Sequence, residues 1–176
     1  MRLIDAPRCP YCARARIVLT EKGVDYETVE VDLSNRPDWV YDLNDTGRVP
    51  ILDDDGFILP ESEVIMSYLD ERFPEPALLN GDLRTRAIAR LQVQRFDATL
   101  GDDYYAFRRG DDNQLARRLE KLPVGESLFS DIAYVPWVIR ARDMLGVELP
   151  DRLAAWLDEL AERPSVAAEV DLVRSL

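Results

Sequence analysis

Strand-like patterning ends at Leu59, and from Leu83 onward only helical periods remain; this switch divides the 176-residue chain into two kinds of structure. Before it, Met1–Asp5 holds the short apolar run Leu3-Ile4, and Asp25–Asp32 alternates apolar and polar residues as a half-buried strand does. Val49–Leu52 and Phe57–Leu59 flank the acidic turn Asp53-Asp54-Asp55-Gly56, a hairpin signal. Helical stretches interleave with these strands. Cys12–Gly23 pairs Ala13 with Ile17 and Ala15 with Leu19, and Gly23 stands where a C-terminal cap is wanted. Pro37–Leu43 is a short helix, and Glu61–Phe73 an amphipathic one with Val64, Ile65, Tyr68 and Leu69 on one face. The expected order is β-α-β-α-β-β-α. Phe73–Asp82, rich in Pro, Asn and Gly, then reads as an ordered linker. Beyond it the pattern predicts one long helix over Arg84–Arg109 and shorter ones over Gln114–Leu122, Ser127–Leu145, Arg152–Arg163 and Ser165–Leu176. The fold class is therefore α/β followed by all-α, in a chain long enough for one domain or two small ones.

The turn from first strand to first helix carries Cys9-Pro10-Tyr11-Cys12, with the only two cysteines of the chain. Cys9 falls at or just before a helix N-terminus, where free N–H groups and the positive dipole end favour a thiolate. A low-pKa, accessible thiolate is a nucleophile, and a second thiol one turn later can resolve what it attacks. Redox or thiol-transfer chemistry follows. A zinc site needs about four Cys, His or carboxylate ligands; with two cysteines and no histidine, no ordinary structural zinc site is expected. Nothing resembles a secretory signal, so a structural disulfide is not expected and a cytoplasmic location is. A chance pair remains the plain alternative, but C-x-x-C in this context is the thioredoxin-like redox pattern. Without histidine, Cys9 depends on the helix end and nearby cations for activation.

Those cations are local. The chain carries net charge −12, yet residues 1–23 hold five basic against two acidic residues, leaving −15 for the rest. A positive island around a nucleophilic cysteine suits an anionic thiol; the plain reading is a helix whose Arg14 and Arg16 form a solvated face. The acidity argues against nonspecific nucleic-acid binding. No apolar run approaches the length that spans a membrane.

Four stretches in this order resemble the glutathione S-transferase superfamily. They are Cys9-Pro-Tyr-Cys12 before an arginine-rich helix, Leu43-Asn44 with Gly47-Arg48-Val49-Pro50-Ile51-Leu52, Pro60-Glu61-Ser62, and Ile65–Pro74. The resemblance covers essentially the whole chain. It implies a thioredoxin-like, glutathione-binding domain over residues 1–75, a linker over 76–82 and a helical bundle domain over 83–176. The cysteine-type branch fits best: a cysteine occupies this position in omega-class transferases, and Cys-Pro-Tyr-Cys is the glutaredoxin motif, including the two-domain glutaredoxin-2 type.

On that resemblance Cys9 is the catalytic nucleophile and Cys12 the resolving thiol, with glutathione as co-substrate. Tyr11 belongs to the thiol-binding set. A cis Val49–Pro50 bond would turn the Val49 backbone toward the tripeptide like an added strand. Ser62 and the α-helix end behind it would take the γ-glutamyl carboxylate, and Glu61 would face the ammonium. Arg36, in Asn35–Trp39, would meet the glycyl carboxylate. The plain alternatives are a trans turn proline at Pro50, a simple helix cap at Ser62 and a surface arginine at Arg36.

The expected activity is glutathione-dependent thiol transfer and disulfide reduction. Conjugation of glutathione to electrophiles is the enzymatic alternative, and a non-catalytic scaffold of the stringent starvation protein A type is the other. The expected partners are a small-molecule thiol and a disulfide or electrophile. The oligomer is left open: homodimers are common in the superfamily, and the glutaredoxin-2 type is monomeric. Departures are the Asn44-Asp45-Thr46 stretch, where Asn-Pro is usual, and an imperfect Ser/Thr-x-x-Asp box around Asp131. Tyr104, Tyr105, Phe107 and Trp137 could line an electrophile pocket or simply form core. Arginine outnumbers lysine 20 to 2, as in GC-rich bacterial genomes, and some such lineages use another low-molecular-weight thiol.

Overall fold

The computed structural model describes residues 1–111 and 114–176. The chain forms two compact units, Met1–Pro76 and Ala77–Leu176.

The first unit is built on a sheet of β1 (Arg2–Asp5), β2 (Glu27–Glu30), β3 (Ile51–Asp54) and β4 (Phe57–Pro60), in spatial order β2-β1-β3-β4. β1 pairs parallel with β2, Ile4 opposite Val29, and antiparallel with β3, Ile4 opposite Ile51. The β3–β4 hairpin closes on the predicted acidic turn. There Asp53 binds the Arg2 side chain and accepts from the Gly56 N–H at 2.7 Å. β2 is an edge strand, and only Val29 in it is even half-buried.

α1 (Pro10–Glu21), α2 (Asp38–Leu43) and α3 (Ser62–Arg72) complete the unit, with α1 packed on α3. α1 ends as its sequence predicts. Gly23, at φ +62°, donates to the Thr20 carbonyl and Val24 to that of Leu19, the paired bonds of a glycine-terminated helix. Behind that end Lys22 is buried, its ammonium donating to Asp70 at 2.6 Å and to the Pro76 carbonyl at 2.5 Å. On α3 the inward residues are Ile65, Met66 and Leu69; Val64, expected on the apolar face, is exposed.

The solvated arginine face expected on α1 does not exist. Arg14 is fully buried, and Arg16 is mostly covered and paired with Asp5 at 2.5 Å. The reason is that α1 is buried almost all round. Cys12, Ala13, Ala15, Ile17, Val18 and Leu19 are inside as well, so the helix has no broad solvent face on which to place them.

The second unit is helical: α4 (Leu83–Asp97), α5 (Leu100–Arg108), α6 (Leu115–Glu120), α7 (Leu128–Asp143), α8 (Asp151–Leu160) and α9 (Pro164–Arg174). The single long helix predicted over Arg84–Arg109 is two helices. Thr99 stands at the break, at φ −131° and ψ −71°: its hydroxyl donates to the Arg95 carbonyl at 2.8 Å, the acceptor its own N–H would use in a continuous helix, while that N–H turns to the Phe96 carbonyl at 3.0 Å. α7 is almost wholly buried despite Pro136 within it. Phe96 stacks on Tyr134 at 4.6 Å and meets Trp137 edge-on at 5.2 Å. Trp137 and Tyr104 are therefore core residues of this unit. Ahead of α7, Asp131 reaches back to accept the Gly125 N–H at 2.9 Å.

Candidate active site

Cys9 is the N-cap of α1, with Pro10 at the first helical position. Proline suits that position because its missing N–H is one the helix start leaves unpaired anyway. Cys9 and Cys12 belong to one apolar cluster with Ile4, Ala6, Val31, Val40, Val49 and Ile51, and both thiols are free. Cys9 is 8% exposed and Cys12 not at all, so the freely accessible thiol expected at position 9 is in fact nearly covered. No side-chain cap bond is made by Cys9; its sulfur lies 3.9 Å from the Val49 carbonyl, to which the thiol donates.

The two thiols are not equivalent. Burial pushes the Cys12 thiol well above its ordinary value, and its hydrogen bond to Cys9 and repulsion from Cys9 and Asp5 push it the same way. A thiol held protonated beside another sulfur is a donor to it. Cys12 therefore stands as a proton donor beside the Cys9 sulfur at the start of α1.

Val49 joins Pro50 through a cis peptide bond, as expected. The approach to it is set by Asn44, a buried residue whose amide donates to the Arg48 carbonyl at 3.0 Å and whose oxygen accepts from the Thr46 hydroxyl at 2.9 Å. The Asn44-Asp45-Thr46 departure therefore builds its own closed loop. Gly47 completes it at φ +63°, where a Cβ would strike the Tyr41 ring. An asparagine shortly before a glycine turn is the sequence signal for this loop.

Glu61 is exposed at φ +71° and ψ 111°, a region that costs a non-glycine residue about 1–3 kcal/mol. It delivers Ser62 to the first turn of α3, 6% exposed. There the Ser62 hydroxyl oxygen accepts from Arg14 Nη1 at 3.1 Å. Ser62 is not the cap of α3, since Glu61 holds that position, and its partner is a guanidinium on α1. Arg14, to which the sequence assigns only a solvated face, is the donor here, and its guanidinium also lies 5.3 Å from the centre of the half-buried Tyr11 ring. Arg36 is half-buried after the Asp32–Asn35 turn, and its Nε is buried with no partner among the described residues. Cys9, Cys12, Tyr11 and Val49 thus share one cluster. Ser62 is tied to the same helix through Arg14, while Arg36 stands in the loop after β2.

Residues 3–77 match the family of glutathione S-transferase N-terminal domains. Over 83 residues the chain is 40% identical to a probable glutathione transferase of Aplysia californica, a match spanning 47% of this chain and 90% of that protein. Over 87 residues it is 47% identical to a stringent starvation protein A homolog of Haemophilus influenzae, spanning 49% of this chain and 41% of the relative. The crystal structure of glutathione transferase Omega 1C from Trametes versicolor superposes with a TM-score of 0.81 at 25% identity, covering 99% of this chain and 93% of that one.

Proposed function

Since the chain belongs to the glutathione S-transferase family, we propose that it is a cysteine-type member catalysing glutathione-dependent thiol transfer and disulfide reduction, with Cys9 as nucleophile. The observation that carries this is the pairing of an N-cap Cys9 with a buried Cys12 thiol that stays protonated beside it. A hydroxyl-type transferase activates the thiol of glutathione; here the protein carries a sulfur of its own at the helix start.

The Cys9 thiolate attacks the glutathionyl sulfur of a mixed disulfide. A bond forms between Cys9 and that sulfur, the old S–S bond breaks, and the substrate leaves as a thiolate that takes a proton. A second glutathione thiolate then attacks the Cys9-bound glutathionyl sulfur, releasing oxidised glutathione and the Cys9 thiolate. Cys12 offers an internal route: its thiolate attacks the Cys9 sulfur, the bond to the glutathionyl sulfur breaks and glutathione leaves reduced, and two further glutathiones then reduce the Cys9–Cys12 disulfide, releasing oxidised glutathione. The donors and acceptors suit a tripeptide with two carboxylates. The Ser62 hydroxyl and the α3 N-terminus suit the γ-glutamyl carboxylate, Glu61 its ammonium, Arg36 Nε the glycyl carboxylate, and Tyr11 flanks the sulfur. The backbone of Val49, before the cis Pro50, is where an extended peptide would add. A reducing cytoplasm is the compartment in which such free thiols persist.

A second reading is favoured by one observation, the 47% identity to a stringent starvation protein A homolog. In it the fold is kept as a binding scaffold. The intact Cys9-x-x-Cys12 weighs against this, since a scaffold has no chemical need for a reactive pair.

Steady-state reduction of a glutathione mixed disulfide at pH 7 separates the readings. Turnover abolished by Cys9→Ser and kept by Cys12→Ser is expected and defines a monothiol route. Turnover of wild type with another low-molecular-weight thiol and not with glutathione would reassign the co-substrate. No turnover with either would leave the scaffold.

A further inference from the structure

We propose that Arg14 is a positioning residue for the carboxylate end of the bound thiol, acting through Ser62; this rests on the glutathione reading above. Arg14 is fully buried and comes from α1, the helix that also carries Cys9 and Cys12 at its start. Its Nη1 donates to Ser62 Oγ at 3.1 Å. An arginine has five N–H donors and no acceptor, whereas a hydroxyl has one proton and two lone pairs. In this contact the serine oxygen must therefore accept, and its own proton must be given elsewhere. Among the described residues that proton has no acceptor, although Ser62 is only 6% exposed.

A buried hydroxyl with a cation behind it and a proton to give is a donor in want of an acceptor. Bonds in such a chain polarise one another, so the guanidinium makes Ser62 a stronger donor than a serine alone. A carboxylate oxygen at the α3 N-terminus would complete the chain Arg14 to Ser62 to carboxylate, assisted by the helix end. Stacking over Tyr11 at 5.3 Å fixes the plane of the guanidinium fork. One side chain thereby ties the seat of the carboxylate to the segment that carries the reactive sulfur. Lysine, a compact charge without the fork, cannot hold both contacts.

The test is calorimetric binding of S-methylglutathione and of S-methylcysteinylglycine, which lacks the γ-glutamyl carboxylate. Both would be titrated into the full chain as wild type, Arg14→Met, Arg14→Lys, Ser62→Ala and the Arg14→Met/Ser62→Ala double variant, with thermal unfolding to verify folding. Wild type should prefer S-methylglutathione. Arg14→Met should weaken that ligand by about 10- to 100-fold, Arg14→Lys by several-fold, and the double variant no more than the worse single one. S-methylcysteinylglycine should change by less than about twofold throughout. Should Arg14→Met not fold, Arg14→Lys with and without Ser62→Ala reads the same coupling. Equal losses for both ligands, or unchanged S-methylglutathione binding in the arginine variants, overturn the inference while the glutathione reading stands. Wild type showing no preference for S-methylglutathione overturns that reading, and this inference with it.

Discussion

In the α/β unit the buried guanidinium of Arg14 bonds a serine hydroxyl at a helix start, whereas in the helical unit that of Arg140 bonds the carboxylate of Glu169 at 2.8 Å. Arg140 also donates to the Pro136 carbonyl of its own helix at 3.1 Å, and Arg140 and Glu169 are both out of solvent. The helical chain of contacts ends inside the protein, on a full negative charge. The α/β chain ends on a hydroxyl proton still to be given. Under the proposed function, buried arginine thus serves ligand recognition through Ser62 in one unit and cohesion of α7 with α9 in the other.

The contrast can be broken at its reactive end first. Cys9→Ser should lower thiol-transfer turnover by about a thousandfold or more while leaving the thermal midpoint near wild type. Turnover kept by that variant, in a coupled reductase assay, would move the chemistry elsewhere.

The helical unit should answer in the opposite currency. Glu169→Ala leaves the Arg140 charge buried and should cost roughly 3–5 kcal/mol in urea unfolding. Arg140→Met with Glu169→Leu should come back close to wild type, because both charges go together. If the single and double variants were equally damaged, packing and not charge would be holding α7 to α9.

A finer test concerns the two thiols. Cys12→Ala removes the proton that Cys12 directs at Cys9, so the pH midpoint for alkylation of Cys9 by iodoacetamide should move up. The rate at pH 7 should then fall by a few-fold, up to about tenfold. A midpoint unmoved by the substitution would leave the helix end as the sole activator.

The smallest effect belongs to the sheet. Arg2 and the Gly56 N–H hold the Asp53 carboxyl below the usual range for aspartate. Its native pKa being lower than its unfolded one, the stability it contributes is present above about pH 4 and fades as pH falls. Asp53→Asn should lower the thermal midpoint modestly at pH 7 and flatten its decline in acid.

How much of this was legible depends on how local each cause is. The Cys9-x-x-Cys12 turn, the Gly23 helix end and the Asp53–Gly56 hairpin are decided by neighbours in sequence, and the sequence analysis placed all three. The break at Thr99 was not legible, because a threonine within a helical period looks ordinary until its hydroxyl takes the Arg95 carbonyl. Arg14 was misread for a deeper reason. Periodicity assigns polar residues to solvent when a helix has one wet face, and α1 has almost none. Its partner, Ser62, lies 48 residues away, and only the packing of α1 on α3 brings them together.

The burial of Lys22 has a practical side. Of the two lysines, Lys22 spends its ammonium on Asp70 and Pro76, and Lys121 is exposed. A reagent for side-chain amines therefore has one open address, on the helical unit and away from the cysteine pair in sequence and in unit. A dye or surface tether attached at Lys121 would modify none of the residues of the proposed site.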